Sequence, residues 1–281
     1  MKDRASSEPG LRFSKMHGLG NDFVLIDQRV DRSALSAGLV RLIGDRHRGV
    51  GFDQLAEILP SDQADAELIF WNADGSTAGA CGNATRCIAH ALMSETDAET
   101  LTLRTERGLL ACRRRPDGLV EVDMGPPMLD WRDVPLAEAL DTLMLPIDGS
   151  PAALSMGNPH CTFFVDDAEA IDLATLGPEI ENHPLFPERT NVQVLQVFSR
   201  QHARMRVWER GVGLTLASGS SSCAVVVNAV RRGLMDRNAK LTLDGGEIEI
   251  TWAENGHVLM AGPIAHAFDG VLSPELIEAA G

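Results

Sequence analysis

Nowhere in the 281 residues does an apolar run approach the roughly 20 that a membrane-spanning helix needs. The opening, MKDRASSEPG, has no apolar core of the kind a secretory signal carries, so a cytoplasmic location is expected. Cysteine is scarce. The five present, Cys81, Cys87, Cys112, Cys161 and Cys223, are odd in number and irregularly spaced, which argues against a disulfide framework and fits a reducing compartment. Positive charge is the minority, and a net charge of −15 repels phosphate backbones and anionic lipid. Nucleic-acid and membrane partners are therefore disfavoured, while small zwitterionic ligands are not. The glycine turns HGLG (17–20) and GVG (49–51) lack a phosphate-loop lysine and a dinucleotide fingerprint. No pyridoxal-type lysine signal stands out, and Cys81, Cys87 and His90 lack the second close pair that a zinc site would need. Neither a metal nor an organic cofactor is expected.

What remains is the composition of a compact protein, 44% hydrophobic and 23% charged, long enough for one large domain or two lobes. Residues 1–10 read as a flexible tail, with order beginning near Leu11. Short apolar or β-branched runs at 23–27, 68–71 and 101–104 predict strands. Pro116-Asp117-Gly118, Asp244-Gly245-Gly246 and Asn255-Gly256 sit between such runs as turns. Antiparallel sheet should dominate. Two segments depart from this pattern, ACGNATRCIAHALMSE from Ala80 and ASGSSSCAVVVNAVRRGLM from Ala217. Each passes from a small residue, a Cys or Ser and a Gly into an apolar run of helical length, with Gly233 as a stop signal for the second. They stand about half the chain apart, which points to an internal duplication. Each lobe would be a sheet wrapped around one helix, and the fold class is α/β (α+β).

A helix N-terminus offers unpaired N–H groups and the positive end of the helix dipole, so it can hold a carboxylate and depress a thiol pKa. Cys81-Gly82-Asn83 and Ser218-Gly219-Ser220 occupy two such places. Together they could clamp one α-carboxylate with a proton-transfer group on each face of the α-carbon, as a cofactor-independent racemase requires. The four other cysteines lie in apolar stretches and read as core packing.

Six segments then carry a resemblance: KMHGLGNDFVLID (15–27), GFDQL (51–55), NADGSTAGACGNATRC (72–87), GNPHC (157–161), TNVQV (190–194) and WERGVGLTLASGSSSCA (208–224). In order and spacing they resemble the motif set of the diaminopimelate epimerase family. The resemblance implies two similar lobes, at 11–126 with 268–281 returning to it and at 127–267, and a cleft that closes over substrate. It implies proton transfer at one α-carbon between LL- and meso-diaminopimelate, in lysine and peptidoglycan precursor biosynthesis, by a homodimer. Cys81 matches one catalytic thiol, and the amides of Gly82, Asn83, Gly219 and Ser220 match the carboxylate clamp. Asn21, Asn72, Asn158, Asn191 and Arg210 match groups that hold the substrate. Glu209 and His160 match the polar pair beside the reacting centre, and Gln54 matches a cleft residue.

The sequence departs from the family at Ser218, where a second cysteine is expected, at Leu214, often glutamate, and at Ser221, often glycine. A hydroxyl is far less acidic than a thiol and needs an activating neighbour to act as a base. Three readings stay open: an introduced change that stops turnover, a functional Cys/Ser epimerase or dehydratase of this or another amino or imino acid, or an inactive amino-acid-binding relative.

Overall fold

In the computed structural model, which describes residues 10–79 and 81–280, the chain divides into two compact units, Met1–Val122 with Pro263–Gly281, and Asp123–Gly262. The tail expected over residues 1–10 lies outside the described residues apart from Gly10.

The first unit opens with β1 (Leu11–Gly18), which buries Phe13 and Met16. Their spacing of three breaks strict alternation, and the register shifts between Lys15 and Met16 as a β-bulge absorbs the extra residue. In β2 (Asn21–Asp27) the run Phe23-Val24-Leu25-Ile26 is buried on both faces, so this strand needs cover on each side of the sheet. The helix α1 (Ala37–Gly44), capped by Ser36 Oγ accepting from Leu39 N, sets Leu39, Val40 and Ile43 against Val24 and Ile26. Strands β3 (Gln54–Leu59), β4 (Ala66–Asn72) and the short β5 (Thr77–Ala78) follow. Next come helix α2 (Gly82–Thr96), β6 (Thr100–Thr105), β7 (Gly108–Arg114) and β8 (Val120–Asp123). The helix α2 packs against β1, β2, β6 and β7 and buries Ala84, Cys87, Ile88, Ala89, Leu92 and Met93.

The second unit repeats this order. It runs β9 (Ala152–Ser155), β10 (Pro159–Phe164), α3 (Leu173–Glu181), β11 (Asn191–Ser199), β12 (His202–Glu209) and β13 (Gly213–Thr215). It continues through α4 (Gly219–Arg231), β14 (Asn238–Leu243), β15 (Gly246–Trp252) and β16 (Val258–Gly262). The chain then returns to the first unit with β17 (Ala265–Leu272), antiparallel to β1, and α5 (Pro274–Glu278).

The pairings establish the duplication more firmly than the sequence does. In the first unit β1–β2 is antiparallel, β2–β3 parallel, β3–β4 antiparallel, β4–β6 parallel, and β6–β7 and β7–β8 antiparallel. The second unit gives the same alternation through β9, β10, β11, β12, β14, β15 and β16. In each unit a short strand hairpins back, β5 onto β4 and β13 onto β12, just before the long helix.

Antiparallel pairing dominates as expected, and the predicted turns join β7 to β8, β14 to β15 and β15 to β16. The parallel steps are what the expectation of a mainly antiparallel sheet left unspecified. They arise because α1, α2, α3 and α4 each carry the chain back across the sheet, and a parallel pair needs such a crossover. Sequence reasoning named two helices; the described residues contain five. Helix α3 carries Gly177 and Pro178 inside it, two residue types that ordinarily interrupt a helical pattern.

Gly177 also has a packing reason. A Cβ there would lie 2.4 Å from Trp208 Cγ, so α3 reaches β12 only because the side chain is absent. Alanine normally favours a helix over glycine by ~1 kcal/mol, yet Gly177→Ala should destabilise this protein by roughly 1–3 kcal/mol through overpacking. Urea denaturation followed by tryptophan fluorescence checks this; the midpoint should fall with little change in slope.

Candidate active site

In the first unit the polar residues singled out by sequence collect at one end of the sheet. Asn21 begins β2, Gln54 begins β3 and Asn72 ends β4, and because β2 and β3 are parallel while β4 runs against them, these three ends coincide. Gln54 Nε2 donates to Asn72 Oδ1 at 3.1 Å, and Asn72 Nδ2 donates to Ser76 Oγ at 3.0 Å. Asn21 Nδ2 donates to Asp53 Oδ2 at 2.7 Å, and its Oδ1 accepts from Asn83 Nδ2 at 3.1 Å. Asn83 is in the first turn of α2, so this bond ties the start of the helix to the start of β2.

Cys81 is the cap of α2, held extended at φ −147° and ψ 105°. Its Sγ accepts from Ala84 N at 3.5 Å and its carbonyl accepts from Thr85 Oγ1 at 2.8 Å. The amides of Gly82 and Asn83 precede the first intrahelical bond and have no acceptor within the helix. Cys81 is partly exposed while Cys87, Cys112, Cys161 and Cys223 are buried, as expected of core thiols. Burial pushes the thiols of Cys87 and Cys112 up to about 12 and raises that of Cys161 as well.

Beneath Asn21 lies a charged cluster that sequence reasoning missed. Asp22 accepts from Lys15 Nζ and from both Arg46 Nη1 and Nη2, and Arg46 Nη2 also reaches Asp53 Oδ1 at 2.8 Å. Burial works to raise the Asp22 pKa, but hydrogen bonds and charge from Arg46 and Lys15 prevail and hold it at about 2. No spacing rule joins residues 15, 22, 46 and 53; the β1–β2 pairing and the loop before β3 do.

The second unit places its residues at the matching strand ends. His160 lies at the start of β10 opposite Asn191, which begins β11. Glu209 ends β12, and Arg210 follows it. Asn191 Nδ2 donates to Pro159 O at 2.9 Å while its Oδ1 accepts from Arg210 N at 3.0 Å. The buried Glu181 of α3 accepts from Trp208 Nε1, Gly211 N and Arg189 Nη1 at 2.6, 2.8 and 3.2 Å, fixing the turn that carries Glu209 and Arg210. The Arg210 guanidinium donates to Glu188 O at 3.0 Å. Asn158 Oδ1 lies 3.1 Å from His160 Nε2.

Ser218 occupies in α4 the cap position that Cys81 has in α2, at φ −134° and ψ 119°. Its carbonyl accepts from Ser222 Oγ at 2.7 Å, as that of Cys81 does from Thr85. The side chains then differ. Ser218 Oγ makes no capping bond; it donates to Glu209 Oε2 at 2.8 Å and lies 3.0 Å from Ser221 Oγ. Glu209 Oε1 accepts from Thr215 Oγ1 at 2.6 Å. Gly219 and Ser220 open the helix with amides that, like those of Gly82 and Asn83, precede its first hydrogen bond. Leu214 on β13 is exposed, as are Val212 and Leu216 beside it. Gln193, Thr215, Thr162 and Asn228 were not singled out from sequence. Gln193 could have been, being two positions from Asn191 on the same strand face, and Asn228 is a polar residue inside the apolar run VVVNAV.

The pattern of the family described as diaminopimelate epimerase matches residues 13–129 and 152–267. The chain is 54% identical over 272 residues to the diaminopimelate epimerase of Rhodospirillum centenum, covering 95% of this chain and 94% of that protein. It is 52% identical to that of Acidiphilium cryptum, covering 94% and 97%. Among solved structures, a Bacillus anthracis phenazine biosynthesis protein of the PhzF family aligns with a TM-score of 0.69 at 14% identity, covering 95% of this chain and all of that one. A probable proline racemase from Agrobacterium radiobacter aligns at 0.68 and 16%, covering 96% of each. These two share the fold.

Native protein treated briefly with iodoacetamide should be labelled at Cys81 alone, with Cys87 and Cys112 reacting only after denaturation; peptide mass mapping reads the result, and early labelling of a core cysteine refutes the exposure argument. Acid gives a second check. Because the folded Asp22 pKa is depressed below its unfolded value near 4, its stabilising contribution is complete above about pH 4 and lost as pH falls toward 2. Asp22→Asn should lower the melting temperature at pH 7 and narrow its gap from the unsubstituted protein at pH 2.

Proposed function

The chain belongs to the diaminopimelate epimerase family, and we propose that it interconverts LL- and meso-diaminopimelate by moving the α-proton of one stereocentre. The match at about half identity over nearly the full length carries the assignment of the reaction. The roles of single residues rest on resemblance and on chemistry. An α-proton beside an ionised carboxylate is weakly acidic, so the carbanion-like transition state needs stabilisation that is already in place. Amides aimed at the carboxylate supply it without reorganisation, which is the part proposed for Gly82, Asn83, Gly219 and Ser220.

Cys81 is proposed as the acid and base of one face. It caps the helix beside amides that have no acceptor within it, and its partial exposure leaves the sulfur accessible where the other thiols are not. Ser218 takes the equivalent position of the second repeat, for the other face. Glu209 and His160 are assigned to the neighbourhood of the reacting amine, where a carboxylate can accept from an ammonium group. Asn72, Asn158, Asn191 and Arg210 are assigned to the distant amino-acid end, with Asn21 and Gln54 supporting them. Arg210 suits a carboxylate because its planar fork binds both oxygens at once. A homodimer and a cytoplasmic location belong to the same proposal, supported by the family resemblance.

Incubating the full chain with each diaminopimelate isomer in D2O and following α-deuterium and stereochemistry tests the assignment. Cys81→Ala should lower turnover by roughly 10²–10⁴-fold, the usual worth of one proton-transfer group. Arg210→Lys should act mainly on KM. Turnover of proline in place of diaminopimelate would overturn the substrate.

A further inference from the structure

We propose that Ser221 is a positioning residue that turns Ser218 into a working proton carrier, with Glu209 as the store for the proton; this rests on the reaction assigned above. The family resemblance gives Ser221 no part, beyond placing a serine where glycine is frequent. The structure joins its hydroxyl to Ser218 Oγ at 3.0 Å and to Gln193 Nε2 at 3.1 Å, the amide that also reaches His160 Nδ1.

Counting donors fixes the direction of the bonds. As a carboxylate Glu209 only accepts, so the single proton of Ser218 is committed to Glu209 Oε2 at 2.8 Å. The 3.0 Å bond between Ser218 and Ser221 must then be made by the proton of Ser221. Ser221 Oγ in turn accepts from Gln193 Nε2 at 3.1 Å, and the second hydrogen of that amide points to His160 Nδ1, also at 3.1 Å. With Nδ1 accepting, His160 Nε2 carries the hydrogen and donates to Asn158 Oδ1. Gln193 is kept from flipping because its Oε1 accepts from Thr162 Oγ1 at 3.2 Å, and Thr162 Oγ1 accepts from Asn228 Nδ2 at 3.1 Å. One chain of bonds therefore runs from Asn228 through Thr162, Gln193 and Ser221 to Ser218 and Glu209, and a branch from Gln193 ends through His160 on Asn158.

Burial gives this direction its force. Ser221, Gln193, His160, Thr162 and Asn228 are at 0% exposure and Ser218 is at 4%, so water does not offer the hydroxyls other partners. Aligned hydrogen bonds of this kind strengthen one another in a low-dielectric interior. A lone serine is too weakly basic to take an α-proton, but this serine gives its own proton up as it receives one. In the forward step the Cα–H bond breaks, its electron pair stays on carbon, and the proton binds Ser218 Oγ while the Ser218 proton passes to Glu209 Oε2. The return step reverses both transfers. Protons balance within the pair, and no electrons are exchanged with any other group.

The test is a double-substitution cycle on the full chain with Ser221→Ala, Ser218→Cys and the two combined, measuring kcat and KM with both diaminopimelate isomers and melting temperature for each. Ser221→Ala should lower kcat by roughly tenfold or more, within the range seen for directly coupled neighbours, with KM nearly constant. The same change beside Ser218→Cys should cost far less, because a thiol does not depend on the chain of hydroxyls. Ser221→Gly serves as a second variant should alanine disturb the helix. Equal losses in both backgrounds, or a loss in KM or melting temperature alone, overturn the relay. Turnover confined to Ser218→Cys also overturns it and leaves the substrate assignment standing. Inactivity of all the proteins toward diaminopimelate overturns the substrate assignment, and the relay with it.

Discussion

The first amides of a helix have no acceptor within the helix, and in both units the surrounding strands are arranged around that unmet demand. The residue before each long helix is extended, so its carbonyl accepts the first intrahelical bond while its side chain stands beside amides that have no acceptor within the helix. A side chain at this place feels the positive end of the helix dipole, and so does any carboxylate brought to it. The β4–β5 and β12–β13 hairpins turn the chain into that entry. Parallel pairing of β2 with β3 and of β10 with β11 gathers polar strand ends in the same region of each unit. One local requirement thereby sets where Asn21, Gln54 and Asn72 lie in one repeat, and His160, Asn191 and Glu209 in the other.

The two repeats satisfy the requirement by different chemistry. Cys81 turns its sulfur inward to the amide of Ala84, which costs little for a polarizable atom that is a weak acceptor. Ser218 gives up the cap and turns to a carboxylate instead. That choice commits the interior of the second unit to polar residues, because each buried hydroxyl or amide must find a partner in turn. Thr162, Gln193 and Asn228 supply those partners. The first unit carries its charge nearer the surface, in Lys15, Asp22, Arg46 and Asp53, where it braces Asn21 from behind.

The two long-helix entries are legible in the sequence, because an Ala-Cys-Gly or Ala-Ser-Gly entering an apolar run is a local event. So are the turns at Gly118 and Gly256, whose backbones have φ of +86° and +89°, a region that favours glycine. Short helices are a different matter. Gly177 and Pro178 imitate a turn, and only the ring of Trp208 lying against the glycine explains why a helix persists there.

Residue identity by itself determined that the chain holds a repeat, which thiol stands at a helix entry, and which family its motifs match, since each follows from patterns a few residues long or from their order. Tertiary structure alone decided the parallel steps in the sheets, the bracing of Asn21 and the direction of the hydrogen bonds that end on Glu209. The reason is physical. Donors and acceptors from strands, a turn and a helix, separated by tens of residues, meet only after the sheet has paired. Burial then removes the water that would otherwise let each of them choose another partner.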